Sequence, residues 1–248
     1  MIIDNFKVDP LKLMSGAPIR LENLGLTIYQ PKLYEIALIG EEKFYEALQV
    51  FRITKSIILS SIKNTEDKEF FDGFEEYQII KMFLDNEPDL QENMNLILNL
   101  IIKDISLLKF NPEFILLKLE SGQQYIINND SFLVIKDIIS QIFVLQNSEP
   151  EFKPANKLAE DIANKLKKRR EKLDSLNGKK DHTVLGDFIS ILMIGLGFLN
   201  IKEVLNLTIY QIFNLIKRFG LYNQHNTQVQ ALLQGAEDIE LVDWLQKI

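Results

Sequence analysis

The 248-residue chain contains no cysteine, which excludes disulfides, cysteine-ligated iron–sulfur clusters and zinc–thiolate sites. It has two histidines, His182 and His225, and both stand in polar stretches that read as surface. Most metal-site and triad chemistry is therefore removed as well. Long apolar runs are missing too. The most apolar one, Phe188 to Leu199, would span about 18 Å at ~1.5 Å per residue, short of a hydrocarbon core of ~30 Å, and reads as a buried helix. Met1-Ile2-Ile3-Asp4-Asn5 lacks the basic start and apolar core of a secretory signal, so a cytoplasmic protein without a membrane partner is expected.

Catalytic motifs are absent in the same way. There is no phosphate-binding Gly-x-x-x-x-Gly-Lys-Ser/Thr and no Gly-x-Ser-x-Gly nucleophile turn. Gly195-Leu196-Gly197 begins like a dinucleotide fingerprint, but Asn200 stands where the third glycine belongs and no strand precedes it; it reads as a helix end. The acid pairs Glu41-Glu42 and Glu75-Glu76 are sequence neighbours, which point to diverging helix faces and make poor acid–base partners. No enzyme, metal or cofactor is expected.

Hydrophobic residues make up 46 % and charged residues 25 %, enough apolar surface to offset the entropy of ordering a folded chain. The formal charge of −7 repels phosphate backbones and disfavours nucleic acid as a partner. The pattern predicts a mainly α fold with minor β. Ser15-Gly16-Ala17-Pro18 reads as a turn, and residues 19–29 as a strand or short hairpin bent at Gly25. Pro31 is expected to start a helix with Leu33, Ile36 and Ala37 inward, broken at Gly40 before a helix over Glu41 to Phe51. Phe70, Phe74, Tyr77, Ile80 and Leu84 mark one amphipathic helix ended by Asn86-Glu87-Pro88-Asp89. A more apolar helix is expected over Leu90 to Leu108, then a hairpin of Phe114–Leu119 and Tyr125–Ile127 around Ser121-Gly122. Asn129-Asp130-Ser131 offers caps for a helix over Phe132 to Leu145.

Composition changes at Asn147. From there to His182 ten basic residues face seven acids, a net +3 that leaves −10 for the rest of the chain. The expected division is 1–146 as a helical domain with β elements, 147–182 as a charged linker helix, and 183–248 as an all-helical domain. The run Lys165 to Lys172 reads as a solvated helix, with Ala159, Ile162, Leu166 and Leu173 as its apolar stripe. No aromatic platform interleaves its charges, as single-stranded nucleic acid would require. At the C-terminus, Thr208 caps a helix facing inward with Ile209, Ile212, Phe213, Ile216 and Phe219, open to a break at Gly220 and stopped at Gly235. The apolar face of Ile239 to Leu245 reads either as a docked terminal helix or as an anchor for a partner groove with Trp244 as its hot spot.

The order Leu207-Thr208-Ile209-Tyr210-Gln211, then Gln230 to Asp238, then Trp244 resembles the tail assembly chaperones of long-tailed bacteriophages. Pro18-Ile19 to Pro31 and Ile36 to Glu41 resemble the opening of such proteins. The resemblance implies a non-catalytic protein in the cytoplasm of the bacterial host. It would bind the aggregation-prone tape-measure protein, help recruit tail-tube protein, and be absent from the finished virion. Tyr210, Phe213, Tyr222 and Trp244 are the expected partner contacts, with self-association open. The alternatives are a virion structural protein of the tail or connector, and a nucleic-acid-associated regulator using Lys165 to Lys172.

Overall fold

The computed structural model describes residues 6–62, 64–145, 184–197, 200–236 and 240–246. The charged segment 147–182, with its basic run, lies outside the described residues. The fold is mainly helical with two small antiparallel sheets, an α+β class with helices in its C-terminal region.

The chain opens with α1 (Pro10–Ser15), whose first turn is capped by the Asp9 carboxylate and whose end is closed by Gly16 at φ +68°. A hairpin follows, β1 (Ile19–Leu21) and β2 (Leu26–Ile28), turning through Gly25 at φ +67°, a conformation that suits a residue without Cβ. Helix α2 (Leu33–Ile39) begins two residues later than Pro31 predicts. Lys32 is held extended by an antiparallel bridge to Thr208, so the first turn forms only beyond it, with the Lys32 N–H donating to Glu35 Oε2 at 2.9 Å. Leu33 and Ile36 are buried as expected, but Ala37 is exposed. Gly40 then separates α2 from α3 (Glu41–Arg52).

The single helix expected through Phe70 and Leu84 is two. Helix α4 (Lys55–Ser61) and α5 (Thr65–Asp72) pack on each other, and the chain turns at Gly73 before α6 (Glu76–Asn86). The missed signal is a capping box: Glu75 N donates to Gln78 Oε1 at 2.9 Å and restarts the helix. Tyr77, Ile80 and Leu84 are buried, whereas Phe70 is exposed. Only Glu87 separates α6 from α7 (Pro88–Ile101), where proline at the first position loses a donor that had no helical acceptor.

Helix α7 stops at Ile101, seven residues short of the expected end. Ile102 is extended, the Ile101 carbonyl accepts from Tyr29 N at 2.7 Å, and Asp104 takes φ +60°. Residues 105–108 then enter β3 (Ile105–Phe110), which pairs with β4 (Phe114–Leu119), itself paired with β5 (Gln124–Asn128). The expected hairpin is thus the second half of a three-stranded meander. Ile115, Leu117 and Ile127 turn inward beneath α8 (Asn129–Ile142). Its cap is Asn128, accepting from Ser131 N at 3.0 Å, because Asn129 Oδ1 is occupied by Tyr77 N at 3.1 Å.

The core gathers Phe44, Leu48, Tyr77, Ile97, Ile101, Phe132 and Ile139 from α3, α6, α7 and α8. It extends to Leu185, Leu192, Val204, Ile209 and Ile212 of the C-terminal helices. Tyr77 is fully buried yet satisfied, its hydroxyl donating to Asn111 O at 3.0 Å. Lys136, largely buried, pairs with Glu76 and donates to Ile53 O at 2.5 Å, while Glu76 Oε2 accepts from Lys55 N at 2.9 Å. This network ties the starts of α4 and α6 to α8. A charge taken this far from water is tolerated because each partner is hydrogen-bonded.

Candidate protein-binding surface

The C-terminal unit consists of α9 (Val184–Leu196), α10 (Ile201–Leu205) and α11 (Ile209–Leu233). Gly197 at φ +67° follows α9, so Gly195-Leu196-Gly197 does mark a helix end. Asn200 and Glu203 cap α10 reciprocally, at 3.0 and 3.1 Å. Thr208 and Gln211 do the same for α11, at 2.7 and 3.3 Å. Helix α11 passes unbroken through Gly220.

The Leu207-Thr208-x-x-Gln211 motif has a second use, as a joint. Leu207 O accepts from Leu33 N at 2.8 Å, and Gln211 Nε2 donates to Met14 O at 2.8 Å. Nearby, Asn206 Oδ1 accepts from Lys32 Nζ at 3.1 Å. Thr208 is buried, with its methyl group facing Gly16. From the other side, Glu41 Oε1 accepts the Leu185 N–H at 2.8 Å. These residues hold α9–α11 on α1, α2 and α3, so the motif that carries the resemblance performs internal docking here.

The four expected contact residues separate into two pairs. Tyr210 and Phe213 are partly buried against the core, and the Phe213 ring meets Phe188 of α9 edge-on at 5.3 Å. Tyr222 is 42 % exposed, and its ring meets Trp244 at 5.4 Å and 73°. Residues 240–246 form no helix, which corrects the expected terminal helix. The segment instead runs back along α11 on polar bonds. Arg218 Nη1 donates to Trp244 O, and to Gln246 O at 3.0 Å. Gln228 Oε1 accepts Val242 N at 2.8 Å. His225 Nδ1 lies 2.8 Å from Val242 O, and as a carbonyl only accepts, that nitrogen carries the proton. Backbone outside helix and sheet leaves polar groups without regular partners, and polar side chains of α11 supply several of them here.

Sequence reasoning missed the most exposed apolar side chains of this unit. Ile194 is 83 % and Leu233 82 % exposed, with Ile191, Leu232 and Leu245 also outward. A signal was present: the apolar run of α9 continues around the whole helix, yet among the side chains described there only Leu185 and Leu192 are fully buried. An apolar residue on every face needs a second surface to cover it.

Elsewhere, Glu42, Glu46, Asp89 and Glu92 line an open groove between α3 and α7, with Lys43 bound to Glu92 at 2.8 Å. That hydrogen bond raises the Lys43 pKa and lowers that of Glu92, the ordinary behaviour of a solvated ion pair. Among the described residues no helix is long and apolar enough to cross a membrane.

Residues 177–248 match the family model of the YomV second domain, a phage-associated family named for a protein of a Bacillus prophage. The match supports a phage protein. No curated protein and no solved structure matches the chain.

Proposed function

We propose that this protein is a phage tail assembly chaperone, acting without catalysis in the host cytoplasm. It covers apolar helices of the tape-measure protein and helps bring tail-tube subunits to it. The observation that carries the reading is a coincidence of place. The stretch similar to a phage-associated family is also the one presenting Ile191, Ile194, Tyr222, Leu233 and Leu245 to solvent, on a chain of net charge −7. Exposed apolar side chains supply affinity for another chain's greasy helix, while the excess of acids keeps the complex soluble.

The test is co-expression of the full chain with the tape-measure protein of the same phage, followed by co-purification. Wild type is expected to retain the tape-measure protein, and Ile194→Asp with Leu233→Asp to lose it while keeping the far-ultraviolet circular dichroism of wild type. Removing residues 183–248 is a poorer experiment, because Val204, Ile209 and Ile212 belong to the shared core. Mass spectrometry of purified particles completes the test. Stoichiometric presence of the protein in finished virions would replace the chaperone reading with a structural one.

A further inference from the structure

Two apolar patches of opposite charge lie outside the C-terminal unit. The first is the outer face of the meander. Register pairs Lys109 with Leu116 and Leu116 with Ile126, while Leu107 pairs with Lys118. Their inward neighbours Leu108, Ile115, Leu117 and Ile127 pack on the core, so alternation turns this set outward, and Leu107 and Ile126 are 46 % and 59 % exposed. β3, β4 and β5 contain no acidic residue. Among the described residues Lys109 and Lys118 form no ion pair.

The second patch is the α4–α5 pair. Phe70 is 58 % exposed and gathers the rings of Phe71 and Phe74 at 5.4 and 5.0 Å, with Ile57 54 % exposed on α4. Helix α5 carries four acids against one lysine, and of these acids Asp72 is paired with Lys55 of α4 at 3.3 Å, which leaves the excess negative charge on the Glu66–Glu69 turn. Glu66 and Glu69 are exposed and form no ion pair among the described residues.

We propose that the occupant of each patch is a second copy of this chain. The lysine-bearing sheet face of one copy docks on the acidic Phe70 face of the next. The argument is charge complementarity. Two apolar surfaces of one molecule carry opposite signs, whereas like patches facing each other would place lysine on lysine or glutamate on glutamate. The contact is head-to-tail, so a pair of copies still presents one free sheet face and one free Phe70 face, and association proceeds to a closed ring or a short chain rather than stopping at a two-fold dimer.

Sedimentation velocity on the full chain over rising concentration tests this. Wild type is expected to exceed its monomer mass of 28.8 kDa as concentration rises. K109E/K118E and E66K/E69K should each weaken association by about tenfold or more. An equimolar mixture of these two variants should assemble again, because each reversed patch then meets a partner of opposite sign. Phe70→Ser provides an uncharged check on the same face, and circular dichroism establishes that each variant is folded. A wild type that stays monomeric throughout overturns the proposal. So does association that all three variants leave unchanged, or a mixture of folded variants that remains monomeric.

Discussion

Gly195 of α9 lies directly against the ring of Phe219 on α11: a Cβ added at Gly195 would fall 2.7 Å from Phe219 Cε1. The glycine is needed for close approach of two helices, and its φ lies outside the positive region. Gly195→Ala should therefore cost about 1–3 kcal/mol through overpacking, although alanine is the better helix former. Phe219→Leu in the same chain should recover part of that loss, because the ring causes the clash. Urea denaturation of the two single variants and the double variant measures this. Strict additivity would show that the contact does not constrain the interface.

Tyr45 predicts an alkaline limit to stability. Burial raises its pKa to about 12, with the Glu41 charge adding to the rise and Arg52 opposing it. Burial raises Tyr77 in the same direction. In the unfolded chain tyrosine ionises near ~10, so between about pH 10 and 12 the unfolded state sheds a proton that the folded state keeps. Stability from this group is complete below pH ~10 and declines as pH rises through the folded value. Tyr45→Phe should stay within about 0.5 kcal/mol of wild type at pH 8 and lose less stability than wild type at pH 11. Urea midpoints at the two pH values provide the comparison, and equal losses in both proteins would refute the assignment.

Trp244 is the sole tryptophan, so its emission reports the position of the C-terminal segment. Arg218 donates to two carbonyls of that segment, and Arg218→Gln removes the guanidinium that spans them. The expected result is a red-shifted emission and stronger acrylamide quenching, with the helix signal retained because the capping box of α11 lies at its other end. Unchanged emission would mean that the Tyr222 ring contact and the bonds of His225 and Gln228 to Val242 hold the segment without Arg218.

Local chemistry was legible wherever it acted alone. The hairpin at Gly25, the break at Gly40, the β4–β5 turn and the Thr208 cap all follow from residues close together in the chain. The errors cluster where a distant partner intervened. Lys32 is drawn into a bridge with Thr208 and delays α2, and Ile105–Leu108 leave a helical pattern to pair with β4. Asn129 yields the cap to Asn128 because Tyr77 claims its side chain. The expected contact residues fared likewise. Helical spacing gave Tyr210, Phe213 and Tyr222 no distinguishing mark, yet packing against Phe188 and the core covers two of them and leaves Tyr222 beside Trp244.

Sequence by itself determined the absence of cysteine chemistry, the helical class and the acidic character, since these depend on which side chains exist and how they repeat. Tertiary structure alone decided which apolar residues remain uncovered. Leu192 and Ile194 are neighbours in the same greasy run, and packing of α9 against the rest of the fold makes the first core and leaves the second on the surface. Burial is a property of the partner surface as much as of the residue, and no local pattern contains the partner.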